Sequence, residues 1–245
     1  MKKHRAILLS AAILTVLITG CAGIPDLLSM ESITGSGNVS EQEYDLSDFT
    51  AVSIGSAFAG EVQYGETFLV VVRVDDNVLP DVQVTVTDNT LHVGLAPRLR
   101  VNTSELHISV TMPAIEAIAL HGASRIALNG FPNAATFAVD VAGAGELTGT
   151  IDADDLRIHQ NGASRVTLTG AGEALSVNLS GASVANLIDL EVATADVTLA
   201  GASKAEITAS DTIDLVAGGA STLSYGGGAT LARSNLSGAS TARAR

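Results

Sequence analysis

The 245-residue chain has no tryptophan, and aromatic residues make up 3 % of it. Sugar-binding β-solenoids usually present aromatic platforms, so this scarcity weighs against a stacking carbohydrate groove. There is one cysteine, Cys21, which excludes an intramolecular disulfide. Basic residues are also few, with 13 Lys and Arg against 26 Asp and Glu. A basic surface for nucleic-acid phosphates is therefore missing, as is one for anionic lipid headgroups. The long apolar run from Ala6 to Thr19 is too short for a comfortable bilayer span.

That run follows Lys2, Lys3 and Arg5, the arrangement of a secretory signal. It leads into Leu17-Ile18-Thr19-Gly20-Cys21, which resembles a bacterial lipobox: aliphatic and small residues ahead of an obligatory cysteine. Residues 1–20 are expected to be a lipoprotein signal peptide, with Cys21 carrying the lipid that holds the protein to a membrane. A triacylated cysteine brings many buried CH₂ groups at about 0.8 kcal/mol each, enough for stable anchoring. Ala22 follows the cysteine, and the absence of Asp there resembles outer-membrane sorting where an organism has two membranes. With a single membrane the expected place is its outer face. Residues 21–38 contain Pro25, Ser29, Ser32, Gly35, Ser36, Gly37 and Asn38 with little periodicity, and are expected to be a flexible tether. Loss of Lys2, Lys3 and Arg5 moves the formal charge from −13 to −16 in the mature chain, consistent with solubility after export.

From residue 113 to residue 245 the chain repeats itself. Gly-Ala-Ser, or Gly-Ala-Gly once, recurs with its glycine at Gly122, Gly143, Gly162, Gly181, Gly201, Gly219 and Gly238. The period is 18–21 residues, the mark of a solenoid. Apolar residues alternate with polar or small ones on both sides of each copy: Val177 and Leu179 precede Gly181, and Ala205 and Ile207 follow Gly201. Alternation of period two means strands with one face inward. Two strands in about twenty residues cannot close a core alone, but stacked copies can. The expected fold is all-β, a parallel β-helix whose seven rungs would make a rod about 30 Å long. Each Gly-Ala-Ser is expected to be a structural corner. Glycine supplies the backbone conformation, alanine fits inside the bend, and serine bonds turn groups and stacks on the serine above.

Several residues carry chemical expectations. Gln160 occupies an inward position, and is expected to bond interior backbone or to mark an irregular rung. Arg125, Glu146 and Arg165 occupy equivalent outward positions and would stack as a charge ladder. His121 and His159 lack both a placed acidic partner and metal-ligand spacing, so the serine ladder has no catalytic base. Asp152, Asp154 and Asp155 form the best polar cluster on the variable side of the rungs. Such a cluster is a candidate Ca²⁺ site or a general acid for polysaccharide cleavage, and otherwise a solvated turn. No cofactor is implied.

Residues 39–112 are β-rich without repeating. Expected strands are 51–54, 61–64, 68–74, 82–86, 91–95 and 106–111, with turns at Asp75-Asp76-Asn77 and Asp88-Asn89. Ile54-Gly55-Ser56-Ala57 echoes the corner phrase. The segment is expected to cap the solenoid and to include degenerate early rungs, since an uncapped first rung exposes a pairing edge. The last repeat runs directly into Thr241-Ala242-Arg243-Ala244-Arg245 with no cap of this kind.

Residues 39–245 resemble the head GIN domain family of auto-transporter adhesins. The likeness rests on Asp48-Phe49-Thr50-Ala51-Val52, Val62-Gln63-Tyr64-Gly65-Glu66, Asp75-Asp76-Asn77-Val78-Leu79-Pro80, Thr90-Leu91-His92-Val93 and the serial corners. It implies a secreted or surface-attached bacterial β-solenoid, and it brings no catalytic residues. The functional expectation is a non-enzymatic, membrane-anchored adhesion or binding module with an envelope or extracellular ligand. Two alternatives stand beside it: an envelope component that self-assembles as a homo-oligomer through its C-terminal rung, and a β-helix polysaccharide hydrolase or lyase.

Overall fold

The computed structural model describes residues 31–245. The expected signal peptide, Cys21 and the first part of the expected tether lie outside the described residues. The N-terminal part contains β1 (Glu31–Thr34), β2 (Val39–Tyr44), β3 (Ala51–Ile54), β4 (Ala59–Tyr64), β5 (Leu69–Asp75), β6 (Val82–Thr87), β7 (Thr90–Leu95), β8 (Leu99–Asn102) and β9 (Leu106–Met112). The repeats supply β10 (Ala117–Leu120), β11 (Arg125–Asn129), β12 (Ala134–Gly143), β13 (Glu146–Thr150), β14 (Ala153–Gly162), β15 (Arg165–Leu179) and β16 (Val184–Leu199). They end with β17 (Lys204–Ala217), β18 (Thr222–Gly226), β19 (Thr230–Leu236) and β20 (Thr241–Ala244). One 3₁₀ turn, Leu79–Asp81, is the only helical element among the described residues.

The repeat strands pair in parallel and in register, as the period demands. On one side of the corners β10, β12, β14 and the later halves of β15, β16 and β17 succeed one another, ending at β19. On the other side run β11, β13, the early halves of β15, β16 and β17, then β18 and β20. Inward residues stack like on like: Leu120, Val141, Gln160, Leu179, Leu199 and Ala217 form one column. All six are essentially inaccessible. Each buried aliphatic side chain contributes about 1.5–3 kcal/mol, and stacking makes the core continuous from rung to rung.

The corners hold the rungs at their tightest approach. Gly181 has φ +76°, and a Cβ built on it would lie 2.5 Å from the carbonyl oxygen of Gly162. That oxygen accepts the Ala182 N–H at 2.7 Å, and the same bond repeats from Ala144 to Ala239 up the stack. Glycine is therefore required twice, for its dihedral and for the close passage of the rung below.

The alanine of the phrase does not take its expected place inside the bend. The alanines lie exposed on the outside of the bend, whereas Ser124, Ser164, Ser183, Ser203 and Ser221 point inward and are buried. Four of these hydroxyls donate to the carbonyl three residues earlier, at 2.8–3.0 Å. A small side chain that satisfies itself locally suits an interior corner where a carbonyl would otherwise go unpaired. Direct serine-to-serine stacking occurs between Ser164 and Ser183, at 3.3 Å.

The N-terminal segment is built from rungs and a cap, and the expected strands appear within a residue or two. The corner echo is a full corner, but Ser56, not Gly55, occupies the glycine position. Ser56 has φ +62° and accepts the Ala123 N–H from the rung above. The order of stacking departs from the order of the chain. β3 and β4 lie between the later strands β7 and β9 on one side and β10 and β11 on the other. Antiparallel strands then close this end: β6 on β7, turning through Asp88 and Asn89 at positive φ, and β5 on β9 with β2 on β5.

Part of the expected tether is ordered strand. β1 pairs in parallel with β8, and Ile33 and Val101 pack on the core. The link from β1 to β2 is fixed by Asn77, which accepts from the Ser36 N–H and donates to Thr34 O. Beside it, Asp75 is buried and accepts from the Ser104 hydroxyl at 2.6 Å, the Ser104 N–H at 2.8 Å and the Thr103 hydroxyl. The Ser104 hydroxyl first, then the Thr103 hydroxyl and the backbone donors of Ser104 and Gly37, hold its carboxyl below the usual range against the opposing effect of desolvation.

Candidate binding face

Parallel strands place every second residue on the outer face. On the sheet containing β3, β10, β12, β14 and β15 one outward column reads Ala51, Ala117, Ala138, Arg157, Ser176. Its neighbour reads Ser53, Ala119, Asp140, His159, Asn178. The alanines leave the sheet surface low, and the longer side chains of Arg157 and His159 rise on the following rung. The result is a depression of about 440 Å³ floored by Ala51, Ala117, Ala119 and Ala138 and bordered by Asp140, Arg157, His159 and Asn178.

A second, smaller depression of about 260 Å³ continues along the same face. Asp155, Thr194, Asp196, Thr212 and Asp214 line it, and it shares Arg157 and Ser176 with the first. No ion pair engages Arg157 among the described residues, whereas Asp214 is bridged to Arg233 at 3.6 Å. A guanidinium offers five donors in a fixed plane and cannot deprotonate. The face thus combines an apolar floor, the Arg157 guanidinium and several acceptors, which suits a ligand with both hydrogen-bonding groups and a non-polar surface.

The residues singled out in the sequence are spread around the rungs. Asp152 accepts the Ala171 N–H at 2.8 Å, joining its turn to the next rung. Asp154 accepts from the Asn133 side chain at 3.3 Å, and Asp155 belongs to the second depression. Among the described residues no group of three or more His, Cys, Asp or Glu is placed to hold a metal ion.

Gln160 is inward and fully buried. Its Nε2 donates to Ser164 Oγ at 3.1 Å and to Val184 O at 3.3 Å, and its Oε1 has no partner. Arg125 and Glu146 form an ion pair at 3.6 Å. Arg165 stacks on Glu146 in register without an ion pair between them, so the ladder is a single bridge. The corner glycines Gly122 to Gly238 all have positive φ, and a Cβ added at each would meet a backbone carbonyl oxygen of the rung below at 2.3–2.7 Å.

The depression lies on the flat of a sheet, away from the variable turns where sequence reasoning looks for function. A signal was present: alanine at the outward positions 117, 119 and 138, where an exposed strand ordinarily carries polar or branched residues. Alanine is also common at inward positions here, so composition alone does not separate the two faces. The ladder register does.

The family described as "Putative auto-transporter adhesin, head GIN domain" matches residues 48–229. Among solved structures, the fold is similar to a putative adhesin from Bacteroides fragilis, with TM-score 0.77 and 17 % identity over 86 % of this chain and 98 % of that one. It is also similar to a putative lipid binding protein from Parabacteroides distasonis, with TM-score 0.73 and 15 % identity over 88 % of this chain and 100 % of that one. A putative adhesin from Parabacteroides merdae gives TM-score 0.70 at 16 % identity, over 88 % and 99 %. No curated protein sequence matches the chain.

Proposed function

Because the chain belongs to the head GIN domain family of auto-transporter adhesins, we propose that it is a non-enzymatic binding module, held at the cell envelope by a lipid on Cys21, that uses the alanine-floored depression as its contact surface. The observation that carries the reading is Arg157. It is a guanidinium without an ion pair among the described residues, set beside an apolar floor on a rigid sheet of an otherwise acidic protein. The description of the family as "Putative auto-transporter adhesin" supports the general class. The lipobox-like Leu17–Cys21 supports export and anchoring.

The cleavage reading draws on Asp152, Asp154 and Asp155. Asp152 bonds a backbone N–H and Asp154 an asparagine, and neither engagement prepares a general acid.

Two measurements test the proposal. Wild-type chain is expected in the membrane fraction and Cys21→Ala in the soluble exported fraction; a Cys21→Ala chain that stayed fully membrane-bound would remove the anchor. Cells displaying the wild type are expected to adhere to polysaccharide- or matrix-coated supports. Arg157→Ala and the space-filling Ala119→Tyr are expected to reduce adhesion at unchanged surface display. Equal adhesion by all three would remove the depression from the function.

A further inference from the structure

The charges of this protein are sorted along the stack. No Lys or Arg lies between residue 31 and Arg73, whereas Glu41, Glu43, Asp45 and Asp48 do. No Asp or Glu follows Asp214, whereas Arg233, Arg243 and Arg245 do. These two segments form opposite ends of one sheet. β2 hydrogen-bonds to β5 alone, and β20 to β18 alone, so among the described residues each has one edge of backbone donors and acceptors without a strand partner. Such edges are templates for a further strand.

From these placements we infer that copies of this chain associate head to tail, with β2 of one copy adding to β20 of the next.

Three features agree with this joint. The directions match: β2 is antiparallel to β5 and β5 to β9, so β2 runs the same way as β9, β4 and every later strand of that sheet up to β20. The added strand would continue the parallel ladder. The columns also match. One outward column begins at Glu43, passes through Val71, Ser109, Glu61 and Ala127, and ends through Glu206 and Ser224 at Arg243. Extending it by one strand sets Glu43 of the arriving copy beside Arg243, about 4.8 Å along the ladder, and Asp45 beside Arg245.

Finally, the charges exclude the alternatives. Pairing two β20 edges would set arginine against arginine, and pairing two β2 edges would set glutamate against glutamate. Only the unlike ends attract, and this is how charge selects one partner geometry over its competitors. A joint between two different surfaces repeats in one direction, and with the two edges at opposite ends of a stacked sheet repetition extends that sheet into an open filament rather than a closed ring. Each copy carries one alanine-floored depression, and a row of them would bind a repeating ligand with avidity beyond that of one site.

The test is sedimentation of the full chain carrying Cys21→Ala, across a range of protein concentration at low ionic strength. The wild-type background is expected to grow in mass with concentration, and to dissociate as salt is raised. Glu43→Arg alone and Arg243→Glu alone are each expected to weaken association about tenfold or more. An equimolar mixture of the two, which again offers an unlike pair, is expected to restore it. Restoration also shows that both variants are folded, and matching thermal melts check this separately. Wild type that stays monomeric at every concentration overturns the inference. So do single variants that associate as the wild type does, or a mixture that fails to recover.

Discussion

Replacing Gly181 with alanine tests whether the corners are set by the contact between rungs or by backbone dihedral alone. At φ +76° an L-residue costs about 1–2 kcal/mol. The new Cβ would also sit 2.5 Å from Gly162 O, and moving it away breaks the 2.7 Å bond from the Ala182 N–H to that oxygen. The lost bond adds about 0.5–1.5 kcal/mol. Gly181→Ala should therefore cost roughly 1.5–3.5 kcal/mol, a fall in Tm of roughly 3–14 °C for a domain of this size.

The chain contains its own control in Ser56, which already holds a side chain at φ +62° in the glycine position. The rung beneath Ser56 has no corner, because the chain after β7 departs through β8 before reaching β9. Ser56 Oγ accepts the Leu95 N–H at 3.1 Å. Ser56→Gly relieves the dihedral but loses that bond and adds freedom to the unfolded chain, so its net effect should be within about 1 kcal/mol of zero. Urea unfolding of both variants decides the matter. The reasoning is refuted if Gly181→Ala costs less than about 1 kcal/mol, or if Ser56→Gly stabilises by as much as Gly181→Ala destabilises.

Two further outcomes follow from buried polar groups. Asp75 titrates below its unfolded value, so its stabilising effect is complete above the usual carboxylate range and is lost as pH falls through the lowered native value. Asp75→Asn should lower stability at pH 7, and its gap from wild type should shrink below about pH 4; a gap unchanged between pH 7 and pH 3 in denaturant titrations would contradict this. Gln160→Leu removes an orphaned Oε1 together with two donor bonds, so it should shift stability by no more than about 1 kcal/mol, whereas Gln160→Ala leaves a cavity and should cost about 2–4 kcal/mol. Equal losses for the two variants in the same unfolding assay would show that the hydrogen bonds, not the volume, matter at this position.

The solenoid was legible because a period near twenty residues and a period of two coexist in residues 113–245, and only stacked parallel rungs satisfy both. What the chain could not show was which way a small residue faces. In the corner phrase alanine and serine are similar in size. Serine goes inside because its hydroxyl finds a carbonyl three residues back, a fact of geometry rather than of hydrophobicity. The depression escaped notice because alternation leaves Ala119 as one more small residue between Ile118 and Leu120, and only the register stacks Ala117 on Ala51 and Ala138. Nor could β1 be foreseen within the supposed tether, for its partner is β8, more than sixty residues away.

The position of β3 and β4 bears on the order in which the stack can form. Residues 51–64 precede both of their neighbours in the chain, which are residues 90–112 on one side and 117–129 on the other. The earliest rung in the chain is thus the one that must wait, and the first stack is not complete until roughly half the chain is present. After that the delay ends, because from β12 onward each strand arrives beside one already placed. Chain order then runs in step with stacking, and the solenoid is finished in a single direction, from a seed that closes late to an end that is laid down last.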